Sequence, residues 1–519
     1  MMTRNRWLVV AAGLALAGVA ACNNDKITNL NKNPNSPEDV PAGPLFTTAT
    51  RQLVGLFLGS GYYDLRGPEF ITQHLAEVQY PDEDRYARLT GGSTTGFFDS
   101  PYENGLEDLQ KAFNKGKASN SAGTWAPAQV MKTWGFDYVT DVWGDIPYFK
   151  ALAGDSGVVN PPYDAQQSIY ADFFKVLSED ATALTGASND LGNADPIYQG
   201  DPKLWQKFAN SLHARLALRT VNVDPALADK ELTAAFSAPG GLISSNAENA
   251  QLNWPGDGIY NNPWADNFSG RDDHRMSQTL MNIMLASNDP RIPIYAQPTV
   301  ADPAKYAGMP NGLTQDQAQA YFNTSSRPGA VFYPGQTVYG FFGGSGKSWP
   351  SFLLTYAEVE FIKAEAAGRG IGGLSLAQAQ GFYNEGIRAS MEQWGVTDAG
   401  AVASFLANPN VAYPAGGSLA AQLSAIDLQR WIALYTDGTQ AWALWRRTCV
   451  PNTVRPGPEA IVDSVPRRYQ YSITEYSVNS ANLNAAISRQ GPDEFLTRMW
   501  WDKSPQASPT YTAGCGAKP

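Results

Sequence analysis

Apolar side chains recur at helical spacing through much of this chain, and this periodicity constrains the fold more than any other feature. The clearest stripe has a strict interval of four residues: Leu204, Phe208, Leu212 and Leu216. This interval places its members on one face of a helix. Comparable stripes run through residues 169–184 and 379–394. The pattern predicts an all-α (mainly α-helical) fold.

Two consecutive stripes, at residues 354–364 and 379–394, are separated by a glycine-rich turn and therefore form a helix pair. Repeated pairs resemble stacked tetratricopeptide hairpins in layout, although the chain has no strict period of about 34 residues. Residues 242–350 differ, because glycine, proline, asparagine and aromatic residues dominate there around one short helical stretch at 276–285. We expect tetratricopeptide-like helical hairpins that support a loop-rich ligand-binding face with few short strands.

Aromatic rings in this loop-rich middle are candidates for a ligand-binding platform. Such rings cost little entropy to order, and they stack against the apolar faces of ligands such as sugars. The candidates, chosen by their position in the loops, are Trp254, Tyr260, Trp264, Tyr339, Phe341 and Trp349. Packing among the loops themselves is the alternative explanation for part of this set.

The N-terminal segment predicts export and lipid attachment. Arg4 and Arg6 precede an apolar run at residues 7–21, which is shorter than the ~20 residues that span a membrane. Cys22 directly follows small residues, as in a bacterial lipobox, where the thiol takes a diacylglycerol. We predict a signal peptide at 1–21, a lipidated N-terminus and tether at 22–41, and a single domain at 42–519. An ordinary signal peptide followed by a chance cysteine is the alternative.

Charge and cysteine content limit the partners and the compartment. The formal net charge is −11 at pH 7, which argues against nucleic acid because phosphates require a basic surface. The other two cysteines, Cys449 and Cys515, are predicted to form a disulfide, since thiols in an exported protein are commonly paired. Two unpaired thiols are the alternative.

The sequence lacks recognisable signatures of catalysis and cofactor binding. None of the three histidines, His74, His213 and His274, lies at metal-ligand spacing with another. Residues 340–348 resemble a phosphate loop but have one residue too many between the glycines. Asp82 and Asp84 have the chemistry to hold calcium, but a solvated acidic turn is the preferred interpretation. We expect no enzyme, no cofactor and no metal; structural calcium is not indicated.

Seven short stretches together resemble the SusD/RagB-like family of outer-membrane nutrient-binding lipoproteins, in its second branch. They follow one another along the chain: Asn-Pro-Asn-Ser-Pro at 33–37, Trp-Gly-Asp-Ile-Pro-Tyr at 143–148, Trp-Gln-Lys-Phe-Ala-Asn-Ser-Leu at 205–212, Asn-Asp-Pro-Arg at 288–291, Thr-Tyr-Ala-Glu-Val at 355–359, Ala-Trp-Ala-Leu-Trp-Arg-Arg at 441–447 and Trp-Trp-Asp at 500–502. Trp143 stands where the family has tyrosine. The motifs suggest structural roles: a tight turn after a helix at 144–147, and packing with an ion pair at Trp445 and Arg446.

The resemblance implies a lipid-anchored protein of the cell outer membrane that faces the exterior. It implies that the protein binds a nutrient and delivers it to a SusC-like TonB-dependent barrel. The preferred ligand is an oligosaccharide, and a peptide is the alternative. It names no ligand-contacting residue, because those of the family do not sit in a fixed motif. Two other classes stay open. One is a surface glycoside hydrolase, which needs two carboxylates about 5–10 Å apart. The other is a structural or adhesive lipoprotein.

Overall fold

The first helix of the described residues begins at Ala42, directly after the predicted tether in the sequence. The computed structural model describes residues 39–335, 346–503 and 515–518. Helices dominate these ranges and the strands are short, which confirms the predicted mainly α-helical fold. None of the helices in the described ranges is long and apolar enough to cross a membrane.

The N-terminal helices pack in sequential pairs, as the periodicity predicts. They are α1 (Ala42–Phe57), α2 (Pro68–Ile71), α3 (Gly91–Pro101), α4 (Glu107–Ala118), α5 (Ala122–Trp143), α6 (Gln166–Ala183), α7 (Pro202–Arg219) and α8 (Pro225–Ser237). Helix α4 packs against α5, and α6 packs against α7. Asp201 caps the start of α7 by accepting a hydrogen bond from the backbone N–H of Lys203. Its Trp205 and Phe208 are fully buried, and burial of a large apolar side chain stabilises a fold by about 1.5–3 kcal/mol.

The C-terminal helices form a second group. They are α13 (Tyr356–Arg369), α14 (Leu376–Gln393), α15 (Ala399–Leu406), α16 (Leu419–Ala433), α17 (Gly438–Thr448), α18 (Glu475–Val478) and α19 (Ser480–Gln490). Helices α13 and α14 pack as a hairpin around buried Phe361, Tyr383 and Ile387. Gly370 ends α13 in the left-handed conformation, with a φ of 68°.

The middle of the chain is loop-rich, as predicted. Its helices are short: α9 (Pro263–Gly270), α10 (Gln278–Ser287), α11 (Ile292–Tyr295) and α12 (Gln315–Gln319). The predicted stretch at 276–285 corresponds to α10, which starts two residues later because Ser277 is its N-cap and accepts from the N–H of Thr279.

The strands of the described ranges form antiparallel two-stranded ladders. They are β1 (Leu75–Glu77), β2 (Ile146–Pro147), β3 (Tyr163–Asp164), β4 (Ala250–Leu252), β5 (His274–Met276) and β6 (Ser351–Leu354). Strand β2 pairs with β3, and β4 pairs with β6. The β1–β5 ladder places Leu75 opposite Met276 and Glu77 opposite His274. This ladder therefore joins two distant parts of the chain.

Three local expectations were wrong. The apolar pattern from about Phe352 onward predicts a helix there, but the helix starts only at Tyr356, because residues 351–354 pair with β4 as a strand. The helical spacing of Tyr102, Leu106, Leu109 and Phe113 predicts one regular helix, but a π-helical turn with non-helical Asn104 and Gly105 precedes α4. Among the described residues Arg446 has no ion pair; its guanidinium carbon lies 3.8 Å from the ring centre of Trp442.

The C-terminal strip, residues 515–518, is bonded to residues 449–465. Cys449 and Cys515 form a disulfide, with their Cα atoms 6.0 Å apart. The backbone N–H of Val465 donates to the carbonyl of Gly516 at 2.8 Å, and Ser464 bridges Ala517. The strip is thus held by a covalent bond and by backbone hydrogen bonds.

Candidate ligand-binding groove

A groove of about 470 Å³ opens where the chain leaves strand β1. Its lining mixes tyrosines, arginines, amides and carboxylates: Tyr62, Arg66, Gln79, Tyr80, Pro81, Asp82, Glu83, Arg85, Arg88 and Gln315. Other depressions among the described residues, of about 310, 260 and 210 Å³, are smaller. Ligand sites in proteins combine a concave shape with a few well-placed polar groups. The groove is therefore the candidate binding site.

Buried Asp84 fixes the loop at 78–90 that forms much of this lining. Its carboxylate accepts from the side-chain amide of Asn311 at 2.7 Å and from the backbone N–H groups of Gly312 and Glu77 at 3.0 and 3.3 Å. Burial raises the pKa of Asp84 to about 7, although these three bonds act in the opposite direction. A solvated acidic turn was thus the wrong interpretation for Asp84.

Asp82 does lie on the surface, with 52% of its side chain exposed. It pairs with Arg85 at 3.4 Å and with Arg88 at 3.8 Å. Arg85 also donates through Nε to the carbonyl of Glu459 at 2.8 Å, which connects the loop to the C-terminal region. The loop is held from both of its sides, so its groove-facing groups are preorganised.

Glu83 organises the floor of the groove. Its carboxylate accepts from Nε of Arg66 at 2.9 Å and from the hydroxyl of Tyr62 at 3.3 Å, and it also contacts Nη2 of Arg66. Burial raises the pKa of Tyr62 to about 12, and the charge of Glu83 adds to the effect. The hydrogen bond from Arg66 to Glu83 raises the pKa of Arg66 above its ordinary value. Tyr62 is therefore a neutral phenol and Arg66 a fixed cation at neutral pH.

Tyr80 offers an accessible aromatic face at the edge of the groove, since 54% of the residue is exposed. The guanidinium carbon of Arg271 lies 4.8 Å from its ring centre. Around the ring, Gln79 donates to the carbonyl of Asp272, and Gln315 donates to that of Val78. An exposed ring beside fixed donors and acceptors can stack on an apolar face while the polar groups bind hydroxyls.

The structure buries two of the predicted ligand-binding tryptophans. Trp264 is 2% exposed, and its indole N–H donates to Asp64 at 2.8 Å. Trp254 is 7% exposed, and its N–H donates to the hydroxyl of Ser351 at 3.0 Å. These rings have little free surface to offer a ligand. Their role is packing, which was the alternative explanation from the sequence.

The other predicted aromatics have different surroundings. Trp349 is half-buried and stacks on Trp394, with ring centres 5.4 Å apart. Tyr260 is 43% exposed and lies against Arg51, whose guanidinium carbon is 4.4 Å from the ring centre. Neither lines the groove. The remaining candidates Tyr339 and Phe341, like Cys22, lie outside the described residues.

Sequence reasoning missed the residues that the structure brings together, above all Tyr62, Arg66, Tyr80 and Arg88. A signal was present, because Tyr80 and Tyr86 flank the charged run at residues 82–85. This segment lies outside residues 242–350, where the aromatic candidates were predicted. Tyr62 and Arg66 also carry no local sign of a site, since they reach it only through the packing of the loop.

The described residues form a helical scaffold whose loops carry a candidate ligand-binding groove. The chain belongs to the SusD-like family, because residues 34–472 match the family model described as starch-binding and associating with the outer membrane. A search of curated proteins gave no match.

Solved structures agree with this membership. A SusD homologue from Bacteroides uniformis is 28% identical, with a TM-score of 0.76 over 90% of this chain and 100% of that one. A chitin-binding SusD homologue from Flavobacterium johnsoniae is 25% identical, with a TM-score of 0.74 over 90% of this chain and 98% of that one. A SusD-like protein from Bacteroides thetaiotaomicron, 24% identical, shares the fold with a TM-score of 0.75 over 90% and 100%.

Proposed function

We propose that this protein binds an oligosaccharide in the groove at 78–90 and delivers it to a TonB-dependent transporter. The observation that carries the proposal is that the exposed ring of Tyr80 and the fixed guanidinium of Arg66 line the same groove. A sugar ring has an apolar face for the tyrosine, and it has hydroxyls that accept from arginine. The chitin-binding relative from Flavobacterium johnsoniae supports a carbohydrate over a peptide.

The lining also favours particular sugars. Three guanidinium groups, those of Arg66, Arg85 and Arg88, face two carboxylates, those of Asp82 and Glu83. The groove is thus locally cationic on a chain whose formal net charge is −11. Sugars that carry a carboxylate or an N-acetyl group would gain charge-assisted or amide hydrogen bonds there.

Titration calorimetry with a panel of oligosaccharides tests the binding site. The panel contains malto- and chitooligosaccharides and oligomers with uronic acids. For the best ligand, Tyr80→Ala should weaken binding about ten-fold, because loss of a stacking ring costs roughly 1 kcal/mol beyond its area. Tyr476→Ala is the matched control, since Tyr476 is also exposed, at 45%, and lies outside the groove. If Tyr80→Ala binds with full affinity and Tyr260→Ala binds more weakly, the site lies at Tyr260, which the sequence predicts, and not in the groove.

We further propose that the protein captures its ligand without cleaving it. Glu83 accepts hydrogen bonds from Arg66 and Tyr62, so its carboxylate is already engaged by groups of the protein itself. The other carboxylate of the groove, Asp82, pairs with Arg85. Incubation with each bound oligosaccharide, followed by chromatography of the products, should return the intact ligand. Shortened products would instead support the glycoside hydrolase.

We propose that lipidated Cys22 anchors the protein to the outer membrane and exposes it to the exterior. The supporting observations are the signal-like segment before Cys22 and the description of the family as associating with the outer membrane. Purification through a C-terminal tag from detergent-solubilised outer membrane should recover a large SusC-like TonB-dependent barrel. Recovery of acylated protein without a barrel would favour a freestanding binder or an adhesive lipoprotein.

A further inference from the structure

Three potential metal ligands converge at the end of the β1–β5 ladder. Glu77 on β1 faces His274 on β5, and Asp273 precedes His274 in the chain. One donor atom from each side chain lies within 4.8 Å of the others. All three residues are buried, at 1%, 2% and 3% exposure for Glu77, His274 and Asp273. The cluster lies outside the set of residues that line the groove.

The polar atoms of this cluster are largely unsatisfied. Neither ring nitrogen of His274 has a hydrogen-bond partner among the described residues, and the same holds for Oε2 of Glu77. Leaving a buried donor or acceptor unpaired costs roughly 1–3 kcal/mol each, so native proteins rarely do so without a reason. A bound ion accounts for these atoms together.

His274 differs in this respect from the other two histidines. His74 has Glu69 at 3.1 Å and the carbonyl of Trp431 at 3.0 Å. His213 has Glu231 at 2.9 Å. An ordinary core histidine in this protein thus has a carboxylate or carbonyl at its nitrogens. The imidazole of His274 has aromatic rings around it instead: Phe70 stacks at 5.5 Å, and Phe268 meets it edge-on at 5.5 Å.

The charge balance also favours a cation. Glu77 interacts electrostatically with the carboxylates of Asp273, Glu83 and Asp84 and with the guanidinium of Arg66. His274 interacts with Arg66, Arg271 and Arg275, but Arg66 is paired with Glu83 and Arg275 with Asp272. Arg271 contacts Asp273, and its side chain is 39% exposed. A buried carboxylate is costly unless it is paired or coordinates a metal. A divalent ion between Glu77 and Asp273 would supply the missing positive charge.

We propose that Glu77, Asp273 and His274 form a binding site for a divalent transition metal, for which zinc is the best fit. Imidazole nitrogen suits zinc and is a poor ligand for calcium or magnesium, whereas zinc also accepts carboxylate oxygens. Donor atoms at most 4.8 Å apart lie at most about 2.8 Å from a common centre, so a shift of no more than roughly 0.7 Å per donor brings each to a bond of about 2.1 Å. A solvent molecule takes the fourth position.

The test measures zinc binding by the full mature protein in detergent. The protein carries a streptavidin-binding tag, because a polyhistidine tag would itself bind zinc. After treatment with chelator, the protein is titrated with zinc chloride by calorimetry, and bound metal is counted by mass spectrometry. Wild type should bind one zinc ion per chain with a rise in melting temperature. His274→Gln and Glu77→Gln should lower the affinity at least about 100-fold, since even outer-shell changes cost 10–100-fold. His213→Gln is the matched control and should bind as wild type does.

Absence of zinc binding in wild type, or equal binding in His274→Gln, would overturn the proposal and leave an adventitious ion only. Where a variant fails to fold, X-ray absorption on zinc-loaded wild type decides the matter. A first shell with one imidazole nitrogen and oxygen ligands supports the site, and a shell without imidazole refutes it. The readout is the metal itself, so its result does not depend on whether the groove binds an oligosaccharide.

Discussion

Replacing Glu358 with glutamine removes a buried negative charge that two arginines share. Glu358, on α13, accepts from Nε of Arg215 on α7 at 3.0 Å and from Nη2 of Arg430 on α16 at 2.8 Å. All three residues are buried. The carboxylate therefore connects three helices, and its loss leaves two guanidinium groups in the core without their counter-ion.

The size of the effect follows from the pKa of Glu358. Burial raises this pKa, but the charges and hydrogen bonds of Arg215 and Arg430 outweigh burial and lower it to about 2. A fall from the ordinary value of 4.5 to about 2 corresponds to about 3 kcal/mol of stabilisation at neutral pH. Removal of one partner of a buried ion pair typically lowers the free energy of unfolding by about 3–5 kcal/mol. We expect Glu358→Gln to lower the free energy of unfolding by about 3 kcal/mol.

The same pKa sets the pH dependence. Because the folded-state pKa is depressed, the contribution is complete above the unfolded pKa near 4.5 and is lost as the pH falls toward 2. Urea unfolding of wild type and of Glu358→Gln, followed by tryptophan fluorescence at pH 7 and pH 3.5, measures the difference in their free energy of unfolding. The difference should be largest at pH 7 and smaller at pH 3.5.

An exposed acid provides the control for this measurement. Glu179, whose side chain is 57% exposed, lies 4.0 Å from Lys175, and such surface pairs contribute at most about 1 kcal/mol. Glu179→Gln should therefore change the unfolding free energy little at either pH. A cost below 1 kcal/mol for Glu358→Gln at pH 7, or an equal cost at both pH values, would refute the reasoning.

Two further predictions concern the backbone and the disulfide. Gly144→Ala should lower the unfolding free energy by about 1–3 kcal/mol, because Gly144 has a φ of 88° and a Cβ there would collide with the side chain of Gln490. Gly381→Ala is the control, since Gly381 lies in open space on α14. This change should raise the unfolding free energy by up to about 1 kcal/mol. Cys515→Ser should lower stability by about 2–5 kcal/mol, since the disulfide to Cys449 closes a separation of 66 residues. Reductant should then lower the melting temperature of wild type but not that of the variant.

Helix pairs were predictable because their signal is local. A stripe such as the one through Phe208 and Leu212 needs only the sequence within a few turns, and the structure buries both residues. The boundary of the stretch predicted at 276–285 was off by two residues at its start, because the cap formed by Ser277 was not considered. The strand at 351–354 was missed because its partner β4 is about a hundred residues away. An apolar run of that length does not distinguish a strand from a helix start by itself.

The candidate site was mostly beyond prediction for the same reason. Tyr80 and Arg88 belong to one loop, but Tyr62, Arg66 and Gln315 reach the groove only through tertiary packing. Position in a loop also proved a poor guide to exposure. Trp254 and Trp264 lie in the loop-rich middle, yet both are buried with their indole N–H groups bonded to other side chains.

Arg271 contacts one residue of the groove and one residue of the proposed metal site. Its guanidinium lies against the ring of Tyr80, 4.8 Å from the ring centre, and it also contacts the carboxylate of Asp273. A change at Arg271 would therefore disturb both sites at once and would not separate their functions. Tyr80 does not belong to the metal cluster, and His274 does not line the groove. Substitutions at these two residues are the ones that can assign oligosaccharide binding and zinc binding independently.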